Sequence, residues 1–327
     1  MEAELVKREG IPFDSIPAAG LHGVGLRALP RNLTQLTRGA LASRRILRES
    51  HPDVLFFTGG YVAGPLALVA RMPGSGHIPT LLYVPDIEPG LALKSLARFS
   101  DRIAVSADES QQYFGKRVVV TGYPLRRDLS RWTRKDGRAA LKLNEELPVL
   151  LIMGGSKGAR SINQALLPQL PTLLKTAQII HVTGQLDWAV LQEATAGLEP
   201  PLAQRYHAFP YLHEEMGAAL AAADLAVARA GASTLGELPL HGLPAILVPY
   251  PHAWRYQKVN ADYLAQRGAA VILADDLLPQ QLGPVALDLL QNPSKRQAMH
   301  SAMSSLSRPQ AAQAIAEQLV ELGGGRQ

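Results

Sequence analysis

The chain contains no cysteine. That excludes a disulfide-stapled scaffold, a thiolate-ligated zinc or iron–sulfur centre and any thiol nucleophile. Chemistry is left to Ser, Thr, His, Asp, Glu, Lys, Tyr and backbone amides. Aromatic residues make up only 6% of the sequence and no nucleic-acid recognition module is legible, so nucleic acid is not expected as a partner. Long apolar runs are also missing: the longest tract, Val54–Ala70, is broken by Thr58-Gly59-Gly60 and by Gly64-Pro65, and cannot be read as a membrane span. Met1 is followed by Glu2, Glu4 and Glu9 instead of a basic and then an apolar run, so no secretory leader is read and the expected compartment is the cytoplasm. The histidines show no HxxxH or HxH spacing and there is no Asp-x-Asp triplet, which argues against a metal site.

What is present points to two domains, because 327 residues with 47% hydrophobic content can bury two separate cores. Short β-branched runs alternate with longer helical patterns, the sign of βαβ units around parallel sheets. Strands are expected at Asp53–Phe57, Pro79–Tyr83, Arg102–Val105 and Arg117–Val120, with helices near 33–49, 61–71, 90–98 and 107–114. A second series runs through Val149–Met153, Gln178–Val182, Arg205–Ala208, Asp224–Val227, Pro244–Val248 and Ala270–Leu273. Thr121–Glu146, with Gly122, Pro124 and weak apolar content, reads as the link between them. Two such sheets hold ligands at the carboxyl ends of their strands.

Charge is unevenly placed. Arg27, Arg31, Arg38, Arg44, Arg45 and Arg48 precede any acid until Glu49, with leucines and Ile46 interleaved. The stretch suits either a solvated helix face or a basic amphipathic surface for anionic lipid headgroups.

Four constellations carry chemistry. Val149–Met153 runs into Gly154-Gly155-Ser156-Lys157-Gly158-Ala159-Arg160 and then a helical pattern, an arrangement whose free amides receive phosphate. No acid ends the following strand, Gln178–Thr183, which weakens a nicotinamide dinucleotide reading. A second turn, Arg229-Ala230-Gly231-Ala232-Ser233-Thr234-Leu235-Gly236-Glu237, leaves two readings open for Glu237. It either caps its own helix, at capping-box spacing from Thr234, or grips a ribose diol beside amides from Ala232–Thr234. Gly59-Gly60-Tyr61 forms a further turn that could receive an anion, and Asp86 and Glu88 sit in a proline-stiffened loop where either a general base or a solvated acid fits. Arg126 at the domain junction could hold a diphosphate, and His252 lies past a strand end.

With these segments quoted, the sequence resembles the MurG-like peptidoglycan N-acetylglucosaminyltransferases, glycosyltransferase family 28. The resemblance runs through nearly the whole chain and is most specific in GGSKGAR from Gly154, RAGASTLGE from Arg229, HGLPAILVPYP from His241 and Gln257-Lys258-Val259-Asn260-Ala261. It implies an α/β fold of the GT-B class, two Rossmann-like doubly wound parallel-sheet domains facing a cleft. The implied division is 1–130 for acceptor and membrane, 147–307 for the UDP-sugar, and 308–327 as a helix and tail packing back on the first domain. The implied reaction is inverting, needs no metal or other cofactor, and moves GlcNAc from UDP-GlcNAc to undecaprenyl-diphospho-MurNAc-pentapeptide at the cytoplasmic face of the membrane.

By the same resemblance, Glu237 clasps the ribose, and Gly155, Ser156, Ala232, Ser233 and Thr234 receive the diphosphate. Arg126 meets a phosphate or the interdomain face, Gln257 the sugar, and main chain near Leu212 the uracil. Gly59, Gly60 and Tyr61 form the loop toward the acceptor diphosphate, and Arg27–Arg48 becomes a surface for anionic membrane. Two departures stand out. The family's first strand and its glycine-rich, His-terminated loop have no counterpart after Met1, so a misplaced start or a truncated chain is expected. Where the family has His-Glu-Gln-Asn this sequence has Tyr83-Val84-Pro85-Asp86, which makes Asp86 or Glu88 the expected base.

Overall fold

The computed structural model describes residues 6–7, 10–18, 29–60, 62–72, 77–155, 157–252 and 255–324, the side chains of 29–31 and 33 aside. Its first sheet is parallel, in the order β1 (Leu55–Phe57), β2 (Thr80–Val84), β3 (Arg102–Val105), β4 (Val118–Val120). The second contains β5 (Val149–Met153), β6 (Gln178–Val182), β7 (Tyr206–Phe209), β8 (Leu225–Ala228), β9 (Ala245–Leu247) and β10 (Ala270–Ile272). All are parallel, in the order β10-β9-β8-β5-β6-β7. The ten expected strands therefore all form, each with ends shifted by no more than a residue or two.

Continuous apolar runs fit strands covered on both faces. In β5 the side chains alternate: Leu150 and Ile152 enter a core with Ile162, Leu166 and Leu173, while Val149, Leu151 and Met153 enter another with Ile180 and Ala226. The chain leaves β5 through β6 and β7 on one side and returns to β8, β9 and β10 on the other. Beside β5 the order reverses, and the turns after β5 and β8 diverge to open a crevice at their carboxyl ends.

Thr121–Glu146, expected as a link, contains helices Arg127–Ser130 and Arg134–Ala140. Leu129, Leu141 and Leu143 are buried in the core that also holds Val149 and Leu151. Gly137 permits the approach, since a Cβ there would lie 2.5 Å from the Ala218 carbonyl oxygen. A few well-placed leucines against the alanine-rich helix Met216–Ala222 suffice to dock a segment of low apolar content. Residues 108–113, within the span read as helix, form a 3₁₀ helix.

Two other elements matter for function. Helix Leu29–Ser50 buries Gly39, Ser43 and Leu47 against helix Ala63–Ala70 and exposes Arg38, Arg44, Arg45, Arg48 and Leu41, the last at 66%. Arg27 and the side chain of Arg31 lie outside the described residues. Helix Ala311–Gly324 returns to the first sheet, where Ile315, Leu319 and Leu322 cover Leu81, Tyr83 and Ala104. Arg102 on β3 donates to Gln318 at 2.6 Å and to Glu321 at 2.7 and 3.0 Å. Among the described residues no helix is long and apolar enough to cross a membrane.

Candidate functional site

The crevice at β5 and β8 opens into a cleft of about 1060 Å³ lined from the second domain. On one side runs the turn after β5, where Gly155 and Gly158 take φ of 82° and 79°. A Cβ at Gly158 would meet the Thr183 carbonyl oxygen at 2.3 Å, and one at Gly154 would meet the Ala159 nitrogen at 2.2 Å. Only glycine fits here, and the backbone comes within reach of a ligand as a result. Ser156 lies outside the described residues.

Beneath this turn is a buried polar chain. Asn163 donates through Nδ2 to the Thr183 carbonyl and to Asp187, both at 2.9 Å, so its Oδ1 must accept from His181 Nε2 at 3.0 Å. His181 Nδ1 then accepts from the Tyr206 hydroxyl at 2.8 Å. Burial lowers the His181 pKa to about 3, which keeps the ring neutral. Asp187 also pairs with Arg160 at 3.1 Å on the cleft wall.

The facing wall is the turn after β8. The capping-box reading is not realised: Ser233 is the N-cap, the Thr234 hydroxyl donates to the Gly231 carbonyl at 2.6 Å, and no side chain caps the helix. Glu237 lines the cleft instead, and its Oε2 accepts from the Ser233 hydroxyl at 3.2 Å. Burial pushes its pKa up, opposed by the Ser233 hydrogen bond and the charge of Arg126. Arg229 holds this wall to the other: it donates to Ser161 Oγ at 2.7 Å and to Asp275, while Ser161 donates to Asp275 at 2.8 Å. Gln257 closes one end, accepting from the Tyr250 N–H at 2.8 Å, with His252 exposed beside it.

Gly155, Ser233, Thr234, Glu237 and Gln257 thus share one cleft, with Ala232 in the same turn. Other expected residues lie outside its lining, Arg126 near enough for its charge to act on Glu237. Leu212 has its side chain in the core, and Arg126 donates to the His213 carbonyl at 3.3 Å and sits 3.5 Å from Asp128. Asp86 and Glu88 lie at the seam between the domains. Asp86 accepts from Asn260 at 2.8 Å and burial raises its pKa. Glu88 stands 3.7 Å from Arg255 and 4.0 Å from Lys94, with Oε2 buried and without a hydrogen bond. Gly59 and Gly60, at φ of 112° and 84°, lie in the turn after β1 in the first domain; Tyr61 is outside the described residues. Sequence reasoning did not single out Ser161, Asn163, Asp187 or Asp275. Only Ser161, next to the glycine turn, had a local signal.

Two parallel-sheet domains, with glycine turns facing each other across a switch-point cleft, define a nucleotide- or phosphate-ligand-binding α/β protein. Residues 1–105 match the glycosyltransferase family 28 N-terminal domain and residues 149–318 its C-terminal domain, and the chain belongs to this family. It is 42% identical, over 97% of its length and 80% of the relative's, to the UDP-N-acetylglucosamine–N-acetylmuramyl-(pentapeptide) pyrophosphoryl-undecaprenol N-acetylglucosamine transferase of Roseiflexus sp. (strain RS-1). To the protein of the same name from Desulforudis audaxviator (strain MP104C) it is 38% identical, covering 99% and 88%. Among solved structures it superposes on Acinetobacter baumannii MurG with a TM-score of 0.77 at 26% identity, covering 98% and 88%. It also superposes on the UDP-GlcNAc 2-epimerase from Neisseria meningitidis bound to UDP-GlcNAc, with a TM-score of 0.66, covering 98% and 88%; at 13% identity that likeness is one of fold.

Proposed function

We propose that this chain transfers N-acetylglucosamine from UDP-GlcNAc to undecaprenyl-diphospho-N-acetylmuramoyl-pentapeptide with inversion and without a metal ion. The observation that carries the reading is Glu237, a half-buried carboxylate lining a cleft whose two facing walls are glycine-bearing turns. In this reading Glu237 accepts two hydrogen bonds from the ribose diol, the Gly154–Gly158 and Ala232–Thr234 turns give amides to the diphosphate, and Gln257 meets the sugar. Asp86 takes the proton of the attacking acceptor hydroxyl. Its raised pKa makes it a stronger base than an ordinary aspartate. The acceptor oxygen bonds to the anomeric carbon as the bond to UDP breaks, and the amides with Arg126 stabilise the departing diphosphate charge. The exposed arginines of helix Leu29–Ser50 hold the protein peripherally on anionic lipid at the cytoplasmic membrane face, where the lipid-linked acceptor resides.

Calorimetric titration with UDP-GlcNAc tests the donor assignment: binding is expected in the native protein and severe weakening in Glu237→Ala, and equal affinities would refute it. A second reading keeps the UDP site but changes the sugar, because Asp86 stands where the family has asparagine. Competition among UDP-GlcNAc, UDP-glucose and UDP-galactose separates the two, with UDP-GlcNAc expected to win.

A further inference from the structure

We infer that Asn260 is a positioning residue that ties the Asp86 loop of the first domain to the phosphate-side turn of the second, so that donor site and base come together through one side chain. The inference rests on the reading of Asp86 as the base. Asn260 lies on helix Tyr256–Gln266 and is 0% exposed. Its Nδ2 donates to Asp86 Oδ1 at 2.8 Å and to the Ala230 carbonyl at 3.1 Å, while its Oδ1 accepts from the Ile87 N–H at 3.2 Å. The amide can face only one way, since a carboxylate and a carbonyl accept and an N–H donates, and a flipped amide would lose all three bonds.

Each partner sits at a functional boundary. Ala230 immediately precedes the Gly231–Thr234 turn, and Gln257, on the cleft, is one helical turn before Asn260. Ile87 is buried among second-domain residues such as Leu212 and Ala230, and its carbonyl accepts from Ser110 at 3.0 Å. The loop carrying Asp86 is therefore plugged into the second domain and held there by Asn260. Asp86 Oδ1 is engaged by the amide, which orients the carboxylate for the acceptor.

The absence of cysteine makes the test direct, because dyes can be placed on Lys116→Cys and Lys175→Cys, both exposed and one in each domain. Interdomain distances are read by single-molecule energy transfer with UDP-GlcNAc bound. Asn260→Ala and Asn260→Asp are expected to lengthen that distance and lower kcat roughly 10- to 100-fold with little change in donor KM, the scale set by misplacing a catalytic group. Asp86→Ala/Asn260→Ala is expected to be no slower than the worse single variant. Asp86→Asn/Asn260→Asp restores the hydrogen bond between the two side chains, although an aspartate at 260 cannot donate to the Ala230 carbonyl, and is expected to recover part of the native distance but not kcat. A native distance and kcat in both single Asn260 variants, or no recovery of distance in the exchanged pair, would overturn the tie. Recovery of both distance and kcat in that pair supports the tie and removes Asp86 as base.

Discussion

Glu237 faces two opposed requirements: a carboxylate binds a diol best when charged, and burial penalises that charge. Its folded-state pKa is raised by desolvation, so the stability it contributes is present below the unfolded value near 4.5 and lost as pH rises through the folded value. Above the folded value the ionised side chain is a liability to the apo protein. Glu237→Gln is therefore expected to melt higher than the native chain near pH 7.5, with the gap closing toward pH 4. UDP-GlcNAc binding should weaken by roughly 10- to 100-fold, the scale of a lost hydrogen bond to a charged group. Thermal melts across pH beside calorimetry check both, and a variant that melts no higher at neutral pH would contradict the burial argument. The sequence left Glu237 ambiguous because Thr234 and Glu237 have capping-box spacing; the structure puts the N-cap one residue earlier, at Ser233, which turns the carboxylate to the cleft. The Asn260 to Asp86 contact was not legible at all, since 174 residues separate the partners and no local pattern links them.

At the scale of elements the strands were readable because buried parallel strands are short apolar runs, and β5 is VLLIM with every residue buried. What supports the glycine turn was not readable, because His181, Asn163 and Asp187 belong to three segments with no shared motif. Their arrangement predicts a particular acid sensitivity. His181 is neutral in the folded state with a pKa of about 3 and takes a proton once unfolded below about 6.5. Its contribution is full above pH 6.5 and is lost as pH falls toward 3, at about 1.4 kcal/mol per pH unit at most. Unfolding free energy measured between pH 7 and 4 should fall less steeply in His181→Gln than in the native chain. In the turn itself, Gly158→Ala forces a Cβ against the Thr183 carbonyl at positive φ, and is expected to cost about 2–3 kcal/mol and to reduce UDP binding. The basic helix Leu29–Ser50 makes a separate prediction. Reversing Arg44, Arg45 and Arg48 to Glu should weaken sedimentation with phosphatidylglycerol vesicles by roughly 100-fold or more, given about 1 kcal/mol per basic residue at an anionic surface. Binding to neutral vesicles should change little, and equal sedimentation of both proteins would return the helix to a solvated face.

For the whole molecule, composition and strand periodicity announced two sheets, but not how the chain crosses between them. The segment 121–146 looked like a linker because it is charged and weakly apolar, yet three leucines dock it on the second core. Helix Ala311–Gly324 makes the reciprocal crossing: the chain closes the first domain only after finishing the second. Stability of the first sheet should therefore depend on residues more than two hundred positions away. Ile315 is 6% exposed and packs with Leu81, Tyr83 and Ala104, so Ile315→Ala is expected to cost about 2–4 kcal/mol, the usual loss for a buried branched side chain. Glu321→Ala should matter little by comparison, because its partner Arg102 meets it at an exposed edge where water screens the pair. Amide exchange at single-residue resolution separates local from global effects. With Ile315→Ala, β2 and β3 should lose protection while β5 and β6 keep theirs, and UDP binding in the second domain should persist. Equal loss of protection in both sheets would mean that the domains unfold as one cooperative unit, coupled through the Ile87 plug and Asn260 strongly enough that neither sheet opens alone.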